Sequence, residues 1–387
     1  MIPRKNLLRL LAKSTPQPGY AWRAFGQRFC SWVSYHLRDG TSSCPETISL
    51  FLTYRCNLRC KMCGQWGEHG TSKQLGPEAL KSELAQEETE PLVHDLASFR
   101  PNITLFGGEP LLYKGWADLV AHVKNHRMRC NIITNGTLLE NHAKTVVDLG
   151  VDEIIFSLDG PRDLHDEVRG APGTFDRSFR GFAAIRDEKQ QRRSQKPLIN
   201  ITATIFEINY QRMDEVIDVA EELKAGSVTF HHLIFLSPDI YTRHNEIFEK
   251  RFGATCPDWA GFVRDSLPDI RPAQLIERMN QIRRRPSRVH VSFYPNFTEE
   301  EIKQYYTRFE FVPTSYANRC LSPWMVSYIF PDGSVRPFHS IGLTLGNIRN
   351  SDFASIWNGE KYRHYRRTVR QMRRFPVCTR CTEHYRF

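Results

Sequence analysis

The chain reads as an α/β protein, a partial (β/α)6 TIM-type barrel followed by a small C-terminal α+β lobe. From about residue 46, short apolar, β-prone runs alternate with longer helix-patterned segments, the mark of parallel βαβ units. Glycine-rich or small polar elements stand just after several of these runs, where such folds build their sites. Past residue 320 comes a hairpin signal, Val326–Phe330, Pro331-Asp332-Gly333 and Ser334–Arg336, with Asp-Gly as the turn.

The strands are expected at 46–54, 102–106, 130–134, 152–158, 197–206 and 227–235, with helices near 77–98, 115–127, 138–149, 175–189 and 210–224. Six such units are too few to close an eight-stranded barrel, so an open barrel with its site at the carboxyl ends of the strands is expected. The stretch 236–319 breaks the rhythm with a helix from Pro272 to Arg284 and a strand-like Arg288–Phe293, and is expected to cap the cavity. The division is then 1–45, an N-terminal basic amphipathic extension; 46–235, the barrel; 236–319, the insert; and 320–387, the lobe.

Of 387 residues, 40% are hydrophobic and 25% charged, an ordinary globular balance. The net charge of +10 is concentrated in Arg283–Arg285 and Lys361–Arg374, read as solvated faces; no nucleic-acid motif accompanies them and no nucleic-acid partner is expected. No apolar run is long enough for a transmembrane helix. Met1–Lys13 is basic and amphipathic, is broken by Arg9 and lacks a cleavage site. It predicts no signal peptide, and peripheral membrane contact is its secondary reading. The ten cysteines are dispersed rather than arranged as a secreted scaffold, which places the chain in the reduced cytoplasm.

Cys56, Cys60 and Cys63 occupy one short loop after the first strand, spaced by three and then two residues. Three thiolates on such a loop can hold three corners of an iron–sulfur cube and leave the fourth iron open to a small molecule. A structural zinc site wants four ligands, commonly in two pairs; the nearest further candidate is His69, in a glycine-rich stretch, and zinc is the weaker reading. The strand at 102–106 ends in Gly107-Gly108-Glu109-Pro110, a turn whose carboxylate can accept from an ammonium group. Thr134-Asn135-Gly136 and Ser157-Leu158-Asp159-Gly160 follow the next two strands and read either as caps and turns or as binders of ribose hydroxyls or a carboxylate. Arg169 can fork onto a carboxylate or join a surface ion pair. His231 and His232, at the end of the sixth run, are substrate-site or core residues.

In order and spacing, these elements resemble the radical S-adenosylmethionine (SAM) superfamily, most nearly the branch with molybdenum-cofactor synthase A and PQQ synthase. The resemblance implies a [4Fe–4S] cluster on Cys56, Cys60 and Cys63, with SAM on its open iron. Gly107, Gly108 and Glu109 would meet the SAM ammonium; Thr134, Asn135, Ser157 and Asp159 would line the ribose or carboxylate side; Arg169 would meet the carboxylate; and Met62 would stand beside adenine. It further implies reductive cleavage of SAM to a 5′-deoxyadenosyl radical that abstracts hydrogen from substrate, with an electron donor such as flavodoxin or ferredoxin.

The C-terminal lobe resembles the SPASM or twitch domains that hold auxiliary clusters, through Cys320-Leu321-Ser322-Pro323-Trp324, the Pro331–Pro337 hairpin and Cys378-x2-Cys381. A further cysteine is expected after the hairpin, and Phe338 stands there. Three outcomes stay open: a three-thiolate cluster on Cys320, Cys378 and Cys381, a cluster completed by His339, or no second cluster. Cys30, Cys44, Cys130 and Cys256 match nothing in the pattern and read as small buried hydrophobes. The residues before the first strand are too few for an added peptide-recognition domain, which favours a small-molecule, sugar (glycan) or lipid-linked substrate and net oxidation or dehydrogenation. A peptide-modifying maturase is the alternative, and a non-enzymatic iron–sulfur electron carrier a weaker one.

Overall fold

The computed structural model describes residues 18–387. Met1–Lys13, the proposed membrane-contacting stretch, lies outside the described residues. Among the described residues no helix is long and apolar enough to cross a membrane. The first described helix, Pro18–Leu37, leaves Trp22, Phe25, Phe29 and Leu37 exposed.

Among the described residues one ten-stranded sheet organises the fold. Its strands are β1 (Thr47–Phe51), β2 (Asn102–Phe106), β3 (Arg129–Thr134), β4 (Glu153–Ser157), β5 (Leu198–Ile205), β6 (Ser227–His232), β7 (His290–Tyr294), β8 (Val326–Ile329), β9 (Ser334–Arg336) and β10 (Gly346–Asn347). β1 through β7 run parallel in chain order, an open barrel of the expected kind. The strand-like stretch of the insert is β7, which extends the barrel by pairing with β6. The first strand of the C-terminal lobe, β8, pairs in parallel with β1, Thr47 opposite Val326, so the lobe is hydrogen-bonded into the barrel sheet. β9 folds back on β8 through Gly333, at φ 78°, as the Asp-Gly signal predicts.

The helix-patterned stretch 77–98 divides into Pro77–Lys81 and Gln86–Leu96 because the chain turns extended at Ser82. A further helix, Arg162–Arg169, stands between β4 and the long helix Thr174–Gln191 and ends at left-handed Gly170.

The strands present an apolar outer face to the helices. Ile48, Leu50, Ile103, Leu105, Ile132, Ile154, Phe156, Val228 and Phe230 face the helices and are at most 2% exposed. Burying each of these side chains contributes about 1.5–3 kcal/mol. The inward positions are mixed: Ser49, Thr104, Asn131, Thr202, Thr229 and Ser292, with Phe106, Ile133 and Ile155 toward the carboxyl ends, line a lumen of about 880 Å³. Closed eight-stranded barrels fill this space with branched aliphatic side chains; here it is a cavity. At the amino ends of the strands a hydrogen-bonded layer forms its floor. Arg129 pairs with Glu153, Asn200 Nδ2 donates to Glu153 Oε1 at 2.6 Å, and Ser227 Oγ donates to Asn200 Oδ1 at 2.6 Å.

Candidate active site at the carboxyl ends of the strands

Cys56, Cys60 and Cys63 lie on the loop leaving β1. Burial pushes the Cys56 thiol up to about 12, with Glu109, Cys60 and Cys63 adding to the rise. Burial also raises Cys60, opposed by the Arg169 guanidinium. The sulfurs are met by donors: Arg169 Nη1 lies 3.6 Å from Cys60 Sγ and Trp66 N 3.4 Å from Cys63 Sγ. Hydrogen bonds onto sulfur stabilise thiolates and tune a cluster they hold. Among the described residues no three His, Cys, Asp or Glu side chains converge on the geometry of a single metal ion. The donor set of the loop, three neighbouring thiols with cationic and amide donors around them, fits three corners of a [4Fe–4S] cluster.

Trp66, which sequence reading missed, pins the loop. Its Nε1 donates to the Tyr54 carbonyl at 2.8 Å, and the Arg59 guanidinium lies 4.0 Å over its ring. Asn57, also missed, joins two loops: its Nδ2 donates to Thr137 Oγ1 at 2.8 Å, and its Oδ1 accepts from Asn135 Nδ2 at 2.9 Å. Neither residue type signals such a role in a sequence, because the partners lie far along the chain.

Gly107 and Gly108 allow the β2 loop to lie against the cysteine loop. A Cβ on Gly107, at φ 144°, would come within 2.7 Å of the Thr53 carbonyl oxygen, and one on Gly108 within 2.1 Å of that of Arg55. The close approach is therefore to protein backbone, locked by Gly108 N to Thr53 O and Glu109 N to Arg55 O, each 2.8 Å. Glu109 is buried and accepts from Leu111 N at 3.2 Å, Thr134 Oγ1 at 2.8 Å and Asn135 N at 2.9 Å. Burial pushes its pKa up to about 7 against these donors.

Arg169 and Asp159 form a buried ion pair at 2.5 Å. Arg169 Nη2 also donates to the Ser157 carbonyl at 2.8 Å, and Asp159 Oδ1 accepts from Thr204 N at 2.9 Å. Burial works against the Arg169 charge, but Asp159 and Cys60 outweigh it and keep the group firmly cationic. The structure thus brings Glu109, Thr134, Asn135, Asp159 and Arg169 together around the cysteine loop; Met62 lies within that loop, half-buried, and Ser157 lines the lumen. His231 faces the lumen beside Tyr294, with ring centroids 5.2 Å apart, whereas His232 points into the core and meets Tyr306 OH at 3.0 Å.

In the C-terminal lobe burial raises the Cys320, Cys378 and Cys381 thiols, and Cys378 lies within electrostatic reach of both Cys320 and Cys381. Phe338 and His339 lie on the lumen wall. Burial pushes His339 down to about 4, and its Nδ1 is 2.7 Å from Ser340 Oγ. Cys30 and Cys44, expected to be buried, are exposed, because Cys30 lies on the surface helix Pro18–Leu37 and Cys44 on the loop after it; Cys130 and Cys256 are buried.

The family model of the radical SAM superfamily matches residues 50–223, and that of the SPASM iron–sulfur cluster-binding domain matches 320–382. Fe-coproporphyrin III synthase of Methanosarcina barkeri is 33% identical over 202 residues, 52% of this chain and 47% of that protein. The chain thus spans about half the length of this relative. AdoMet-dependent heme synthase of Nitratidesulfovibrio vulgaris is 24% identical over 353 residues, 90% of this chain and 87% of that protein. In fold, the chain resembles Streptococcus suis SuiB bound to precursor peptide SuiA, with TM-score 0.61 at 14% identity over 86% of this chain and 69% of that one. Residues 50–223 thus form a radical SAM domain, of the kind that binds a [4Fe–4S] cluster and S-adenosylmethionine, and residues 320–382 form a SPASM iron–sulfur cluster-binding domain.

Proposed function

We propose that this enzyme abstracts hydrogen from a small polar molecule in the barrel lumen, in a net oxidation or dehydrogenation. The lumen carries this reading. Its volume of about 880 Å³ falls within the range of small-molecule sites. At the carboxyl end its wall presents Ser157, Thr202, His231, Tyr294, Tyr328 and His339, side chains that hydrogen-bond hydroxyls, carboxylates or ring nitrogens. The two sequence relatives described above are named as an Fe-coproporphyrin III synthase and an AdoMet-dependent heme synthase, names of non-peptide products. The resemblance to molybdenum-cofactor synthase A and PQQ synthase rests on the motifs alone.

When bound, the cluster and SAM supply the 5′-deoxyadenosyl radical that takes the substrate hydrogen. The chain's own part is placement. Glu109 would accept from the SAM ammonium, and Arg169, held by Asp159, would face its carboxylate. Thr134 and Asn135 fix Glu109, Ser157 stands at the lumen edge, and Met62 would pack beside the adenine. The polar floor keeps the substrate at the height of the cysteine loop. A flavodoxin or ferredoxin delivers the electron, and the SPASM lobe, joined to β1 through β8, offers an acceptor for a second electron leaving the substrate.

A peptide substrate is the second reading, favoured by the likeness to SuiB with its precursor peptide bound. Deuterium transfer decides between them. Reconstituted enzyme, SAM and reductant are incubated with the small-molecule or the peptide fraction of cells grown in heavy water, and 5′-deoxyadenosine is analysed by mass spectrometry. Label from the small-molecule fraction is expected; label from peptides alone overturns the proposal.

A further inference from the structure

Phe338 stands where the auxiliary-cluster pattern leads one to expect a thiolate, and the fold brings another cysteine to that region. Cys256 follows the helix Pro238–Phe252 and its left-handed cap Gly253. It is fully buried, and its backbone N–H is held by Asn245 Oδ1 at 2.7 Å. The helix before it packs on the segment that carries Cys378: the rings of Phe248 and Phe375 are 5.0 Å apart, and those of His244 and Phe375 5.9 Å. On its other side the Cys256 segment meets the segment following Phe338. A Cβ on Gly342 would lie 2.5 Å from the Thr255 carbonyl oxygen and 3.2 Å from Pro257 Cδ, so only glycine allows this approach. Trp259, three residues on, packs on Phe338 itself at 6.0 Å between rings. Cys256 therefore lies between the segment that lacks the thiolate and the segment that holds Cys378.

The sulfur environment matches as well. Cys320 receives the Ser322 backbone N–H, Cys381 that of Glu383, and Cys378 that of Phe375 at 3.2 Å. Cys256 receives the Gly342 N–H and lies within electrostatic reach of Cys378. The buried Tyr365 senses Cys320, Cys378 and Cys256 together. Cys130, the other buried cysteine outside the motifs, has Asp152, Lys124 and Arg129 as its charged neighbours, in a different layer. His339 lies on the lumen wall, its ring 4.0 Å from that of Phe338.

We propose that the auxiliary cluster of this chain is held by four thiolates, Cys320, Cys378, Cys381 and Cys256, the last supplied by the cavity-capping insert from outside the SPASM segment. The iron left open in a three-thiolate cluster is then closed, so this cluster passes electrons and does not bind substrate. It also ties the insert to the C-terminal lobe.

The test uses the full-length chain with Cys56, Cys60 and Cys63 replaced by Ala, which leaves only the auxiliary site. Anaerobic reconstitution of this variant is expected to give about four irons per chain and an EPR signal on reduction that added imidazole or cyanide leaves unchanged. Adding Cys256→Ala is expected to lower bound iron at least about twofold, or to leave a cluster whose EPR signal the same additives shift. Cys256→Ser, close in size, keeps the result readable if the Ala variant is unstable: an oxygen ligand changes the Mössbauer parameters of one iron site, with circular dichroism reporting an intact fold. His339→Ala is expected to change none of these. Unchanged iron content, EPR and additive response in both Cys256 variants overturns the proposal, as does the same set of changes from His339→Ala alone.

Discussion

Gly108→Ala tests how the cysteine loop is held. The new Cβ would stand 2.1 Å from the Arg55 carbonyl oxygen, where real contacts stay above 3.0 Å. That oxygen belongs to backbone next to Cys56 and cannot rotate away, so the two loops must part by nearly an ångström. The separation strains both hydrogen bonds that join them, Gly108 N to Thr53 O and Glu109 N to Arg55 O. Each is worth about 1 kcal/mol when made, and more when its groups are left buried and unpaired. With overpacking of about 1–3 kcal/mol, the destabilisation comes to roughly 3–5 kcal/mol and lowers Tm by on the order of 4–6 °C. Because the clash falls beside Cys56, iron bound at the SAM site should drop as well. Gly26→Ala is the control: nothing lies within 4 Å of its Cβ, it sits in a helix, and Ala there should stabilise by up to about 1 kcal/mol. The assays are thermal unfolding and iron and sulfide content after anaerobic reconstitution. A Gly108→Ala protein that melts and loads like the parent would refute the reasoning.

Other expectations follow from the same geometry. Asp159→Asn leaves the buried Arg169 without its anion and should destabilise by about 3–5 kcal/mol in urea titrations; a change under about 1 kcal/mol would mean that the pair is dispensable. The pKa of Glu109 is raised to about 7, so the folded chain holds this proton more tightly than the unfolded one. Its contribution to stability is therefore greatest below the ordinary carboxyl range and is lost as pH rises toward 7, by up to roughly 3 kcal/mol. Glu109→Gln should lack that loss, read as a diverging urea midpoint between about pH 5 and pH 8. For the same reason SAM affinity, measured by calorimetry, should tighten as pH rises through about 7 in the parent and stay flat in Glu109→Gln. Cys63→Ala should abolish release of 5′-deoxyadenosine while the iron of the SPASM lobe persists; retained release would remove the loop from the chemistry.

The strand ends were legible because their chemistry is local. β2 runs from Asn102 to Phe106 as the apolar run indicated, and Glu109 follows at once because Gly107 and Gly108 can turn there. The polar inward face was written in the alternation of β5, Asn200, Thr202 and Thr204 against Ile201, Ala203 and Ile205. The bracing of the site was not legible. Asn57 to Asn135, Arg169 to Cys60 and Asp159 to Thr204 join residues from different strand ends, and a hydrogen bond across the rim leaves no periodic trace.

By itself the sequence determined the chemistry: thiolate spacing, a carboxylate after two glycines and strand periodicity are properties of neighbouring residues. Tertiary structure alone decided the partners. It paired β8 with β1, so that the C-terminal lobe shares the sheet of the barrel. It turned Asp159 to Arg169 and carried Cys256 toward Cys378 across a long stretch of chain. Such pairings depend on which buried faces must cover one another, and that is settled only when the whole chain closes around its core.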